Sequence, residues 1–136
     1  MTPVVDARAD RTAQGVVAVA LLGAFVFRQV WVIPILGVLV GAGAAFGPPG
    51  NPFHRAFTAY VAPRLPAATA FEDAATVRAQ DVVAAALLAA ATVTVLIGLG
   101  LVAWVIALVE AGIAVTAATT GIHLAVMLGD RLRRRR

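Results

Sequence analysis

Apolar side chains fill four long stretches of this chain almost without interruption, and this feature limits the possible folds more than any other. The stretches cover about 12–28, 30–47, 81–98 and 101–128. A helix that crosses a hydrocarbon core of ~30 Å needs about 20 predominantly apolar residues. Apolar residues make up 61% of the chain and charged residues 13%, whereas soluble domains average about 45–50% and about 25%. The sequence therefore predicts an all-α polytopic membrane protein with four transmembrane helices in one membrane domain, 1–136.

Two short breaks divide the four stretches into two tandem hairpins. Arg28 and Gln29 interrupt the first pair of stretches, and the segment Gly98-Leu99-Gly100 interrupts the second pair. A single helix through the first pair would be ~54 Å long, far more than a bilayer core can hold. We therefore expect a tight turn at each break.

The connection between the hairpins, residues 48–80, has a different composition and predicts one short interfacial helix. Asn51 followed by Pro52 is a typical helix start, and prolines further along end the segment. Three aromatic residues recur at the spacing of one helix face: Phe53, Phe57 and Tyr60. This pattern is typical of a helix that lies in the headgroup plane and serves as an anchor.

The basic residues, all eleven of them arginines, indicate the orientation in the membrane. On the four-span arrangement ten arginines lie on one side and Arg28 alone lies on the other. The positive-inside rule then places both termini in the cytoplasm, as expected for a multi-pass protein of a bacterial inner membrane. Acidic residues before the first span, Asp6 and Asp10, argue against a cleaved signal peptide.

A basic tail, residues 129–136, follows the fourth span. Its arginines are candidate contacts for anionic lipid headgroups: Arg131, Arg133, Arg134, Arg135 and Arg136. Each would contribute about 1 kcal/mol near a charged surface, although the same residues could serve only to fix the topology. Nucleic acid is not a predicted partner, because the cluster directly follows a span and has no aromatic or globular companion.

The starts of the first and third spans resemble each other. Residues 13–22 align with residues 79–88 at an offset of 66, with eight of ten positions identical. Alanine and valine are so common here that chance similarity is an alternative, but the matched Ala-Gln pair favours duplication. Two hairpins related in this way would pack about a pseudo-twofold axis along the membrane normal.

Small residues form a nearly continuous stripe along the fourth span, at spacings of three and four. The stripe comprises Ala103, Ala107, Ala111, Ala114, Ala118, Gly121 and Ala125. Gly37 and Gly41 in the second span follow the same small-residue spacing. Such faces let helices approach closely in lipid. We therefore predict a tight bundle, with other membrane subunits or a second copy of the chain as candidate partners.

Glu110 is the one acidic residue deep inside an apolar span and is the candidate intramembrane polar site. A charge at the bilayer centre costs at least about 2.5 kcal/mol, so the carboxyl should be protonated, paired or bonded to a neighbouring helix. It could handle a proton or cation, or it could be a neutral group that holds two helices together. His123 is too far along the helix to pair with it.

Motifs of known catalytic chemistry are missing from the sequence. The chain has no cysteine, and it has no Gly-rich phosphate loop, nucleophile elbow or metalloprotease motif. We therefore predict that it is not an enzyme and that it holds no cofactor and no metal.

The order of these features resembles a small bacterial membrane-protein family, domain of unknown function 4395. The likeness covers nearly the whole chain and depends on segments such as Val5-Asp6-Ala7-Arg8, Gly47-Pro48-Pro49, Phe71-Glu72-Asp73 and Thr120-Gly121. Many members look as though they carry a Cys-x-x-Cys after the Thr-Gly, which implies a link to redox or sulfur chemistry. Here His123 and Val126 stand at those positions, so a thiol role cannot be transferred.

Three functions remain open at this stage. The first is a structural or accessory subunit of a larger membrane assembly, which the small-residue stripe favours. The second is a small oligomeric proton- or cation-coupled transporter or channel that uses Glu110. The third is a membrane partner in redox or sulfur metabolism, which only the family resemblance implies.

Overall fold

A computed structural model of the chain describes residues 3–120 and 130–135, and nearly all of the described chain is helical. The helices are α1 (Ala7–Val26), α2 (Val32–Phe46), α3 (Pro52–Ala56), α4 (Ala74–Leu96) and α5 (Gly100–Thr120). Two three-residue strands, β1 (Val4–Asp6) and β2 (Phe71–Asp73), pair in antiparallel fashion directly before α1 and α4. The predicted all-α class is therefore confirmed.

Helices α1 and α5 lie antiparallel against each other. Near the start of α1, the Arg11 guanidinium donates hydrogen bonds to the carbonyl oxygens of Ala118 and Thr119, near the described end of α5. Near the opposite ends, the rings of Phe25 and Trp104 meet edge to face with centroids 5.5 Å apart. The two helices are thus in contact over most of their length.

Helices α2 and α4 form a second antiparallel pair. The Arg78 guanidinium, near the start of α4, donates hydrogen bonds of 2.9 and 2.8 Å to the carbonyl oxygens of Ala44 and Ala45, near the end of α2. Midway along the pair, Gly37 packs against Leu88. Each hairpin thus places its second helix against the first helix of the other hairpin. Within the second hairpin, α4 also packs against α5.

Both hairpins turn in the same way. The amide of Gln29 donates to the carbonyl of Ala24, and the amide of Leu99 donates to the carbonyl of Thr94, each over 2.8 Å. These bonds span five residues, as in a Schellman motif. The motif requires a residue with positive φ, which is Arg28 (54°) in one turn and Gly98 (86°) in the other. We refer to this end of the bundle as the turn end and to the opposite end, with β1 and β2, as the strand end.

At the starts of α1 and α4, equivalent residues of the two repeat copies are 67 positions apart. Asp6 and Asp73 each accept a hydrogen bond from the backbone amide two residues later and thereby begin α1 and α4. Arg11 and Arg78 bind helix carbonyls in equivalent ways. Several buried positions of α1 match buried positions of α4 at the same offset: residues 13, 14, 17, 21 and 24 with 80, 81, 84, 88 and 91. The offset of 66 from the sequence is thus one residue out of register.

Three of the helices are long and apolar enough to cross a membrane: α1 with 20 residues, α4 with 23 and α5 with 21. Helix α2 is strongly apolar but has only 15 residues, which corresponds to about 22 Å along its axis. The chain therefore has the features of a membrane protein. The predicted basic tail falls partly outside the described residues, while 131–135 lie in an exposed segment.

The core is apolar in the half of the bundle next to the turn end. Its largest fully buried side chains are Leu21 from α1, Ile33 from α2 and Leu88 from α4. The fully buried residues that α5 contributes to this core are all alanines: Ala103, Ala107, Ala111 and Ala114. Because alanine is small, the α5 backbone can approach α1 and α4 closely.

Candidate functional site

The buried polar side chains are concentrated in the half of the core next to the strand end. They are Asp10 and Gln14 on α1, Asn51 and His54 in the connection, Gln80 and Asp81 on α4, and Glu110 on α5. Each of these seven residues is at most 4% exposed. We call this set the polar core. Burial of so many polar groups is costly unless they bind each other or a ligand.

Asn51 connects the segment between the hairpins to the polar core. Its side-chain oxygen accepts hydrogen bonds from the amides of Phe53 and His54 and so begins α3. Its side-chain nitrogen donates a 3.1 Å hydrogen bond to Oδ2 of Asp81. On α2, Gly43 contacts both Asn51 and Asp81 at a distance that leaves no room for a side chain. The connection is therefore held against both hairpins.

Helix α3 directs His54 into the bundle towards Asp10. The distance from His54 Nε2 to Asp10 Oδ1 is 3.7 Å, and the two side chains are 5% and 0% exposed. When the imidazole is protonated, the two groups form a buried ion pair. Nε2 has no hydrogen-bond partner among the described residues.

A cleft of about 560 Å³ opens above His54 at the strand end. Its walls are mostly apolar and include Val5, Pro49 and Ala62, whereas His54 and Arg55 contribute nitrogen groups. Asp6 also lines the cleft, and its carboxylate is bound by the Arg8 guanidinium at 2.8 Å. Hydrogen bonds from Arg8 lower the pKa of Asp6 below its usual value of 3.8, so this carboxylate stays ionised and paired.

The polar core continues inward from the cleft along the helices. Asp10 lies about 5 Å from the start of α1, and Gln14 about 10 Å from that start. Asp81 lies at a similar depth in α4, and Glu110 is near the middle of α5. The carboxyls of Asp81 and Glu110 are close enough to interact electrostatically. Polar groups thus reach from the cleft to the centre of the bundle.

Glu110, the predicted intramembrane site, is fully buried within a single chain. Neither carboxyl oxygen has a hydrogen-bond partner among the described residues. The side-chain amide of Gln80 also has no such partner there. The structure thus places Glu110 in the same core as other buried polar side chains, which the sequence did not predict.

The predicted small-residue stripe lies mainly inside the bundle. Ala103, Ala107, Ala111 and Ala114 are at most 1% exposed, while Ala118 is partly exposed. Gly121 and Ala125 lie outside the described residues, as do His123 and Arg136. Gly37 packs on α4, whereas a side chain added at Gly41 would meet nothing within 4 Å.

The residues that the sequence analysis missed did carry weak signals. Asp10 and Gln14 are one helical turn apart and lie on the same face of α1 as the apolar residues Val17 and Leu21. His54, in the short helix α3, is buried inside the bundle. Of the three aromatic residues on the predicted interfacial face, Phe57 is buried inside the bundle and Tyr60 is 72% exposed.

Fold and site together define a helical protein that has the features of a membrane protein and a buried polar core next to the strand end. The chain matches the family model described as Domain of unknown function (DUF4395) over residues 5–134. It belongs to this family, as its resemblance to domain of unknown function 4395 predicted. No curated protein and no solved structure matches the chain.

Proposed function

We propose that this protein is a four-span membrane protein that binds a proton or a small cation in its polar core and transfers it across the membrane. The observation that carries the proposal is the burial of three carboxyl groups, those of Asp10, Asp81 and Glu110, among helices long enough to cross a bilayer. Ionisable groups at such depth are costly, and in membrane proteins they mark ion and proton pathways.

A purely structural role explains Glu110 less well. A carboxylic acid that holds two helices together must donate or accept a hydrogen bond, since this bond is the source of its stabilisation. Neither oxygen of Glu110 has such a partner in the described part of the chain. A carboxyl that carries or exchanges a proton, or that binds a cation, needs no permanent partner of this kind.

The direction of access follows from the distribution of polar and apolar groups. Polar residues connect the cleft to Glu110, whereas the buried core on the other side of Glu110 consists of residues such as Leu21, Ile33 and Leu88. Uptake in our proposal therefore occurs from the strand end. Because Glu110 is enclosed by one chain, the binding step does not require an oligomer.

Membrane orientation is part of the proposal. Arg8, Arg11 and Arg78 lie at the strand end, whereas Arg28 lies at the turn end. The positive-inside rule favours a cytoplasmic strand end, with α2 as a short fourth span. Since the chain lacks cysteine, a single cysteine introduced at Thr58 or at Leu99 can be labelled from one side of intact bacterial cells. We expect a membrane-impermeant maleimide to label Leu99→Cys and not Thr58→Cys, and the reverse result would overturn the orientation.

Ion transfer can be tested with the purified chain in lipid vesicles. We expect an imposed potential to drive a flux that is detected by an internal pH dye, or by an internal Na⁺ or K⁺ dye. Glu110→Gln should abolish this flux, and Glu110→Asp should retain part of it. Asp130→Asn, which alters an exposed acid near the tail, is the matched control and should leave the flux unchanged.

The proposal is wrong if wild-type vesicles leak no faster than empty ones for all three ions, or if Glu110→Gln transfers them normally. Circular dichroism and the elution volume of each variant distinguish loss of transfer from loss of the fold.

The other two functions stay predictions. The small-residue stripe was part of the support for the accessory-subunit function, and four of its described residues, Ala103, Ala107, Ala111 and Ala114, are buried within the same chain. The redox function depends on the family resemblance, and this chain has no thiol of its own. The tail arginines stay predicted contacts for anionic lipid headgroups: Arg131, Arg133, Arg134 and Arg135, which are exposed, and Arg136, which lies outside the described residues.

A further inference from the structure

We propose that the cleft at the strand end binds an anionic amphiphile of the lipid type, with its oxyanion between His54 and Arg55 and its chain against the apolar walls. This site is separate from the proton- or cation-binding function of Glu110, and neither proposal requires the other.

The shape and lining of the cleft fit a chain-bearing ligand. At about 560 Å³ the cleft falls within the usual size range of small-molecule sites. Val5, Pro48, Pro49 and Ala62 give it apolar walls. A ligand that carried only a charged head would leave these walls exposed to water. An alkyl chain would bury both the apolar walls and its own apolar surface.

The charges of the lining favour a negative head. Asp6 is neutralised by Arg8 through a 2.8 Å ion pair. Arg55 is exposed, and its guanidinium forms no ion pair or hydrogen bond with any of the described residues. The cleft therefore presents one uncompensated cation at its side. The surrounding end of the bundle also carries Arg11 and Arg78, which adds long-range attraction for anions.

The position of His54 explains how the head would be held. Its side chain is 5% exposed and lines the cleft. Nε2 is buried and faces Asp10, whose Oδ1 lies 3.7 Å away. The other ring nitrogen, Nδ1, is therefore the one that would donate to an oxyanion in the cleft, while Nε2 stays directed at Asp10.

The two histidines of the chain provide a direct readout. The full chain, labelled with [15N]histidine and held in nonionic micelles, gives imidazole signals only from His54 and His123, and the His54→Gln variant assigns them. The probes are octyl phosphate, octanoate, inorganic phosphate and octanol. We expect octyl phosphate or octanoate to shift the His54 signals saturably, with half-saturation at least about tenfold lower than for inorganic phosphate. Octanol should not shift them.

Matched arginine variants test the proposed contact with the head. Arg55→Gln should raise the half-saturating concentration at least about tenfold, because it removes a charge-assisted hydrogen bond. Arg64→Gln changes another exposed arginine that does not line the cleft, and it should change the value less than about twofold. Both substitutions are at exposed positions and should leave the fold intact.

Several results would overturn the inference. Equal potency of inorganic phosphate would show that the walls do not bind a chain. An equal shift with octanol would show that the cleft does not select an anion. Equal effects of Arg55→Gln and Arg64→Gln would show that attraction is general to the basic end of the bundle. Ion flux through Glu110 is measured separately in vesicles, so failure of one proposal is distinguishable from failure of the other.

Discussion

The side-chain nitrogen of Asn51 donates a 3.1 Å hydrogen bond to Oδ2 of Asp81, thirty residues later in the chain. Both residues are at most 1% exposed. The bond joins the connection between the hairpins to α4, at the depth where the polar core begins. Because the same asparagine also begins α3, the position of His54 beside Asp10 depends on it.

Substitution of Asn51 should therefore destabilise the protein in two separable ways. Asn51→Ala removes both the helix cap and the bond to Asp81, and we expect it to lower the free energy of unfolding by about 2–3 kcal/mol. Asn51→Ser keeps a capping oxygen and loses only the amide donor, so its effect should be about half as large. Thermal unfolding in detergent, followed by circular dichroism, measures both. Equal stability of Asn51→Ala and the wild type would contradict the structural role.

Gly43 should tolerate no side chain, in contrast to Gly41 on the same helix. A Cβ atom at Gly43 would overlap the Asp81 carboxylate and lie 2.9 Å from Cβ of Asn51, whereas at Gly41 it would meet nothing within 4 Å. Overpacking of this kind costs about 1–3 kcal/mol. We expect Gly43→Ala to lower the unfolding midpoint clearly, and Gly41→Ala to leave it unchanged or raise it slightly because alanine favours helix. A greater loss from Gly41→Ala would mean that Gly41 is the true packing position.

The helices and turns could be predicted from the sequence because they depend on length and hydropathy. Long apolar runs with Gly or charged breaks leave few alternatives in lipid, and the structure has tight turns at both breaks. The exact offset between the two copies of the repeat was harder to predict from the sequence. Alanine and valine are so frequent that an alignment can slip by one residue and still match, whereas the hydrogen bonds of Arg11 and Arg78 determine the true offset.

The polar core could not be predicted as a unit because its members come from distant parts of the chain. Asp10 and His54 are separated by 44 positions in the sequence, and only the pairing of β1 with β2 and the path of α3 bring them together. Local periodicity indicated an aromatic face in the connection and gave no sign that His54 is buried. A π turn at Phe57–Val61 changes the helical spacing, which is why Phe57 is buried and Tyr60 is exposed.

Arg11 and Arg78 should stabilise the strand end to similar extents. Each guanidinium donates two hydrogen bonds to backbone carbonyls of a helix from the other hairpin, for Arg78 near the end of α2 and for Arg11 near the last described residue of α5. At the end of α2 such contacts satisfy terminal carbonyls and interact favourably with the helix dipole. We expect Arg78→Gln and Arg11→Gln each to lower the free energy of unfolding by about 1 kcal/mol. Arg64→Gln, which removes no hydrogen bond within residues 3–120 and 130–135, should change it by less than about 0.5 kcal/mol.

The pH dependence of stability should reveal the ion pair between Asp6 and Arg8. Hydrogen bonds from Arg8 lower the pKa of Asp6 in the folded protein below 3.8. A carboxyl with a lowered folded-state pKa contributes stability that is fully present above its unfolded value and is lost as the pH falls through the folded value. At pH values below about 4 we therefore expect the temperature of the unfolding midpoint of the wild type to decrease, in part because the Asp6 carboxylate becomes protonated.

Asp6→Asn keeps the capping oxygen but loses the charge. The stability of this variant should therefore be lower than that of the wild type at neutral pH and should decline less in acid. Asp73→Asn changes the equivalent cap of α4, where none of the described arginines is paired with the carboxylate, and should leave the acid decline as in the wild type. If Asp6→Asn and Asp73→Asn show the same pH profile, Arg8 does not stabilise the ionised carboxylate.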